Sequence, residues 1–237
     1  MSGHSKWATT HRQKAVVDSK RSIVFSKLSR LITVAARDKG ADIATNFSLR
    51  MLVEKARSAS MPKENIDKAI KKGSGGSDGE VFEELLYEAI GPFNTQFIIK
   101  CLTSNKNRTA NDVRWIFTKN SGAFSTVSWN FEQKGVIEIS SSKSEIPDYE
   151  NFELEIIENG GSDIIENENS VTIYCDVSEL QNLNKFLESK KIKVESAEIR
   201  YVAKDLVELD DAQSASMERI AEQIEDNEDV VDWWGNF

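Results

Sequence analysis

The spacing of apolar residues changes character at one glycine-rich run, GSGGSDG from Gly73 to Gly79, and that change sets what the chain can fold into. Before the run the period is helical. From Lys20 to Arg37, Val24, Leu28, Leu31, Ile32 and Ala35 recur at helical spacing and cover about 100° of arc. A second helix is predicted from Ser48 to Ala59, with Leu49, Leu52, Val53 and Ala56 inward. A third starts at Pro62, carries Ile66, Ala69 and Ile70 inward, and ends in Lys71-Lys72-Gly73, cations and then glycine. The glycine-rich run itself has the composition of flexible coil, spanning roughly 15 Å, and reads as a hinge.

After the run, period-two segments alternate with short helices. VFEELLYEAI and TQFIIKCLT read as strands, Asn107 to Lys119 as a helix, and STVSWNF as a strand in which Val127, Trp129 and Phe131 share a face. From Gly135 the order is strand (VIEIS), helix (Pro147 to Asn159), strands (SDIIE and SVTIYCD), helix (Ser178 to Ser189) and strand (KVESAEIRYV). That βαββαβ order is ferredoxin-like. A strand (DLVEL), a helix (Asp211 to Glu225) and a last strand (DVVDWW) follow. Joined to the segment from Val81 to Phe131, they make a second split α/β unit. The expected class is α+β: a basic helical domain (1–73), a discontinuous α/β domain (80–133 and 204–237), and an α/β domain inserted into it (134–203), both of the latter ferredoxin-like.

Charge divides at the same place. Residues 1–73 hold 16 Lys and Arg against 6 Asp and Glu, a net of +10, and the remainder nets −19. A basic head on an acidic body suits a polyanion met by the head alone, and nucleic acid is the leading one. Acidic bodies repel each other, which favours a monomer. Cys101 and Cys175 lie on apolar strand faces, have no CxxC neighbour, and read as small buried hydrophobes in a reducing, cytoplasmic setting. No apolar run reaches the ~20 residues that cross a bilayer, and the start MSGHSKWATTHRQK lacks a secretory h-region.

Three groups of residues could carry binding. The N-terminal tail interleaves His4, Lys6, Trp7, His11, Arg12 and Lys14, a mixture that stacks on bases and pairs with phosphates; pinning of the tail by Trp7 is the structural alternative. The first helix presents Lys20, Arg21, Lys27, Arg30 and Arg37, and the third ends in Lys71 and Lys72; a solvated face is the alternative for these. Lys106 and Arg108 stand at the entrance of a helix in SNKNRTANDVR, where backbone N–H groups favour anions, or where Asn107 or Thr109 simply caps. Catalysis and cofactors find no support. The two histidines are seven apart with no CxxC, and GxxxxGK[ST], GxGxxG and GxSxG are all absent, so no metal or cofactor is expected. The acidic runs ELDD (208–211) and EDNED (225–229) read as solvated faces, and Trp233 and Trp234 as packing residues on opposite strand faces.

Taken together, GHSKW (3–7), His11, the DSKR–FSKL–ITVAAR run (18–37), ARSASMPKENIDKAIKKG (56–73), KCLTSNKNRTANDVR (100–114), FTKNSGAF (117–124) and VSWNFEQKG (127–135) resemble the YebC/PmpR family, which includes the mitochondrial translational activator of cytochrome c oxidase. The resemblance implies a helical N-terminal domain and two α/β domains, the third inserted in the second. It also implies a non-enzymatic role. Members are described as DNA-binding transcriptional regulators, and others as factors that act on the ribosome at difficult stretches such as proline runs. The chain departs from the family at Lys39-Gly40, where Gly-Gly is usual, at YEAIGPFN, in a short segment between Gly122 and Val127, and at Trp233-Trp234. Expected partners are therefore DNA or ribosomal RNA, with the ribosome as the alternative target, and no membrane.

Overall fold

A computed structural model describes residues 18–75, 81–140, 146–167 and 169–237. Compact packing divides the chain into two units, residues up to Phe131 together with Ala203–Phe237, and Glu132–Val202.

The first unit opens with three helices, α1 (Asp18–Lys39), α2 (Phe47–Ser58) and α3 (Lys63–Gly73). Leu28, Ile32 and Ala36 of α1, Leu49, Val53 and Ala56 of α2, and Ile66 and Ala69 of α3 bury a common core. Each large aliphatic side chain there contributes roughly 1.5–3 kcal/mol. Asn46 fixes the α1–α2 corner from a buried position. Its Oδ1 accepts from Leu49 N at 3.0 Å as a helix cap, while its Nδ2 donates to the Ala35 and Gly40 carbonyls. α3 ends at Gly73, as its sequence predicts, and packing adds a second reason for the glycine. A Cβ there would run into the Thr33 carbonyl and lie 2.8 Å from the Ala36 Cβ, so glycine is required by the close approach of α3 to α1.

The same unit holds the discontinuous α/β domain. A hairpin of β1 (Glu83–Ile90) and β2 (Gln96–Thr103) leads into α4 (Lys106–Lys119) and the short β3 (Ala123–Phe124). After the insertion, α7 (Asp211–Asp226) and β8 (Val230–Gly235) complete a sheet of order β3-β1-β2-β8. Alternate β2 residues Phe97, Ile99 and Cys101 meet Val113, Ile116 and Phe117 of α4 and Met217, Ile220 and Ile224 of α7, so both helices cover one face. Trp234 is buried and Trp233 packs 5.9 Å from the Phe97 ring.

Two predicted strands of this domain take other forms. In STVSWNF, Ser128–Asn130 form a 3-10 turn and the strand begins only at Phe131. The Glu88 carboxylate accepts from the Val127 and Ser128 N–H groups, at 2.6 and 2.7 Å, and bends the chain there. Val127 is consequently buried and Trp129 exposed, so they share no face. DLVEL joins no ladder; Asp205 is held by Asn130 and the Val207 N–H by the Asn236 carbonyl. Asn130 also explains how an insertion is accommodated. The Lys204 and Asp205 N–H groups donate to its backbone and side-chain oxygens at 2.7 and 2.8 Å, and its Nδ2 donates to the Asp205 carbonyl at 2.9 Å. The chain thus leaves and returns at one point, and the discontinuous domain bears little closure entropy for the residues between.

The inserted unit contains β4 (Phe131–Ile139), α5 (Tyr149–Glu158), β5 (Gly161–Glu166), β6 (Val171–Cys175), α6 (Leu180–Ser189) and β7 (Val194–Ala203). Its sheet order β5-β6-β4-β7, with β6 antiparallel to both β5 and β4, is the ferredoxin-like arrangement. The α+β class, with a helical N-terminal region and two four-stranded antiparallel sheets, is therefore what the chain forms.

Candidate nucleic-acid interface

The cations of the helical domain face two ways. Lys27 and Arg30 lie on the side of α1 that meets the end of α7 and the start of β8. Arg30 Nη1 donates to Asp229 Oδ1 at 2.9 Å and to the Glu228 carbonyl at 2.8 Å. Arg108, from the entrance of α4, donates to the other oxygen of the same carboxylate at 2.7 Å, joined by Thr109 Oγ1 at 2.7 Å and Thr103 Oγ1 at 3.2 Å. Asp229 is 3% exposed. Burial pushes its carboxyl up, but the hydrogen bonds from Arg108 and Thr109 and the charges of Arg108 and Arg30 outweigh it and hold the group below the ordinary carboxylate range. One buried carboxylate therefore ties α1, β2 and α4 to the strand it precedes.

Lys27 donates through Nζ to the Glu225 carbonyl. Burial lowers its ammonium to about 8, against the opposing pull of Glu225, Asp226, Cys101 and Asp232. Phe82, also buried, lies under two cations, with the Arg30 guanidinium and the Lys72 ammonium each 5.5 Å from its ring centre. Arg37 is exposed; its Nε pairs with Asp38 at 2.9 Å and its Nη1 reaches toward the Phe82 carbonyl at 3.5 Å.

Lys27 and Arg30, expected on a phosphate-facing arc, are engaged by the chain's own oxygens. Arg30, Lys27 and Phe82 join the helices to the α/β domain, contacts that the hinge expected at the glycine run does not anticipate; residues 76–80 of that run lie outside the described residues. Sequence reasoning missed Asp229 and Phe82. The first was hidden in EDNED, read as a solvated run, and the second in a segment read as strand, although β1 begins one residue later.

The opposite aspect differs. Lys71 is exposed, as are Lys39, Arg57, Lys63 and Lys68, and among the described residues none of these meets a carboxylate. Arg21 is exposed on the first turns of α1. Lys106 is exposed and pairs with Glu83 at 2.5 Å, and Arg108 is half-exposed beyond its bond to Asp229. His4, Lys6, Trp7, His11, Arg12 and Lys14 lie outside the described residues, as does the side chain of Lys20.

Little in the described residues suits covalent or metal chemistry. Burial pushes the Cys101 thiol up to about 12 and the Cys175 thiol up to about 11, so both stay protonated. No group of three or more His, Cys, Asp or Glu that could hold a metal occurs among the described residues, and no described helix is long and apolar enough to cross a membrane.

Comparison with known proteins bears on the whole chain. Residues 5–76 match the family model described as the TACO1/YebC protein N-terminal domain, and residues 82–237 the one described as the TACO1/YebC second and third domain. A "probable transcriptional regulatory protein" of Trichlorobacter lovleyi is 38% identical over all of this chain and 96% of its own length. Proteins of the same description from Fervidobacterium nodosum and Bacillus subtilis are 42% and 38% identical, again over all of this chain and over 94% and 99% of theirs. The crystal structure of a conserved hypothetical protein from Aquifex aeolicus superposes with a TM-score of 0.84 at 36% identity, covering 98% of this chain and 96% of that one.

Proposed function

Because this chain belongs to the TACO1/YebC family, whose relatives carry the name of transcriptional regulators, we propose that it is a non-enzymatic, DNA-binding regulator of gene expression. The observation that carries this reading is the charge division, +10 over 1–73 against −19 beyond it, together with the exposed Arg57, Lys63, Lys68 and Lys71, which meet no carboxylate among the described residues. Lys63, Lys68 and Lys71 form a docking surface for phosphates, bordered by Lys72 over the Phe82 ring and extended by Lys20 and by His4, Lys6, Trp7, His11, Arg12 and Lys14 of the tail. Lys27 and Arg30 hold that surface against the acidic α/β domain, whose carboxylates repel polyanions. The protein works as a cytoplasmic monomer on this account.

A second reading, a factor that works on ribosomal RNA during translation, is favoured by one observation. Trp115 is 59% exposed, and an exposed indole suits unpaired bases, which duplex DNA withholds. Affinity of the full chain for duplex DNA and for structured RNA over a salt series tests the shared premise. With about six phosphates neutralised, affinity falls roughly 1,000-fold between 50 and 200 mM salt. A flat response removes phosphate docking, and the nucleic acid bound more tightly at physiological salt decides between the two readings.

A further inference from the structure

We propose that the outer face of α4, Trp115 flanked by Arg114 and Lys119, is a stacking site for an unpaired base of a single-stranded nucleic acid. The inference rests on the nucleic-acid reading above and adds a second contact to it. Helix α4 is a basic island in an acidic body: Lys106, Arg108, Arg114 and Lys119 stand against Asp112 alone. Lys106 and Arg108 are engaged by Glu83 and Asp229. Arg114 and Lys119 meet no carboxylate among the described residues and lie instead over rings, Arg114 at 5.1 Å from the Phe124 centre and Lys119 at 4.6 Å from that of Trp115.

The inward apolar residues of the helix, Val113, Ile116 and Phe117, are all buried, so Trp115 is not needed by the core. The Lys119 ammonium lies over its indole, and 59% of the residue remains exposed to solvent. Stacking on an aromatic ring is indifferent to base identity, and the Lys119 ammonium beside it is placed to meet a flanking phosphate, with Arg114 one position away on the helix. Asn111, one turn before Trp115 and exposed, adds a donor and an acceptor on the same side. A protein partner would call for a wider apolar patch than one indole set among cations. A duplex would offer its phosphates here but no base face.

The test uses the full chain, as wild type, Trp115→Ala and Trp115→Phe, on a 20-nucleotide single-stranded RNA of mixed sequence, the DNA strand of the same sequence, and its duplex. Trp115→Ala weakens single-strand binding at least about fivefold and leaves the duplex unchanged, while Trp115→Phe stays within about threefold of wild type. Loss on RNA alone or on both single strands supports the site and identifies its ligand. Unchanged single-strand affinity in Trp115→Ala overturns the stacking site and leaves phosphate docking intact. An equal loss on duplex also overturns it. Failure of the wild type to bind any of the three at low salt overturns this inference and the nucleic-acid reading together. Unchanged thermal melting of both variants confirms that the comparison is made on folded protein.

Discussion

The inner side of α1 and the outer side of α3 are built from the same residue types and do opposite things. Lys27 and Arg30 are drawn against backbone carbonyls and the Asp229 carboxylate, and Lys63, Lys68 and Lys71 are exposed and meet no carboxylate among the described residues. A count of cations along the helical domain treats the two sides alike. What separates them is a single acidic stretch some two hundred positions further on, which reaches one side only. Positive charge facing inward is structural, positive charge facing outward is available for a ligand, and the direction is set by tertiary partners rather than by local spacing.

Replacing the shared carboxylate is the strongest way to break that contrast. Asp229→Ala leaves Arg30 and Arg108 without their common acceptor and two threonine hydroxyls without theirs. A loss of about 3 kcal/mol in unfolding free energy follows, discounted from a fully buried pair because Arg108 is half-exposed. The sign of the pH dependence comes from the same group. Its folded value lies below its unfolded one, so its stabilisation is complete above the ordinary carboxylate range and is lost as pH falls through the lower folded value. Denaturant melts at a series of acidic pH values check this: the wild type shows that acid loss and Asp229→Asn lacks its share of it.

A smaller effect sharpens the contrast from the side of the lysine. Lys27 is lowered from 10.5 to about 8 in the fold, so the unfolded chain binds more protons between those values and stability rises with pH across that window. Lys27→Met removes the rise. At pH 7 it leaves the melting temperature equal or higher, because the charge being buried at a cost is gone while the stem is replaced by one of similar volume. Thermal melts at pH 7 and pH 10 check both statements.

Much of the fold was legible because it follows from local rules. The three helices of the head announce themselves by period, and the βαββαβ order of the insert by alternation between turns. The failures share a cause as well. STVSWNF alternates like a strand, yet the Glu88 carboxylate, some forty residues earlier, binds the Val127 and Ser128 N–H groups and turns it. Gly73 ends its helix as expected, but the Thr33 carbonyl of another helix, which also demands glycine there, left no mark in the local sequence. Asp229 looked solvated within EDNED, and the residues that bury it come from α1, β2 and α4. Among the cations of the head, residue types were readable and facing was not: Lys71 is exposed at the end of α3, while Lys27, Arg30 and Lys72 are drawn toward Glu225, Asp229 and the Phe82 ring.

The most direct measurement compares the salt dependence of nucleic-acid affinity for the full wild-type chain and a Lys63→Gln, Lys68→Gln, Lys71→Gln triple variant. If the outward cations meet phosphates, the slope of log affinity against log salt drops by about 3 while the melting temperature stays near that of the wild type. An unchanged slope with an unchanged melt would contradict the account, because these lysines would then be solvated surface and the charge division would serve no phosphate.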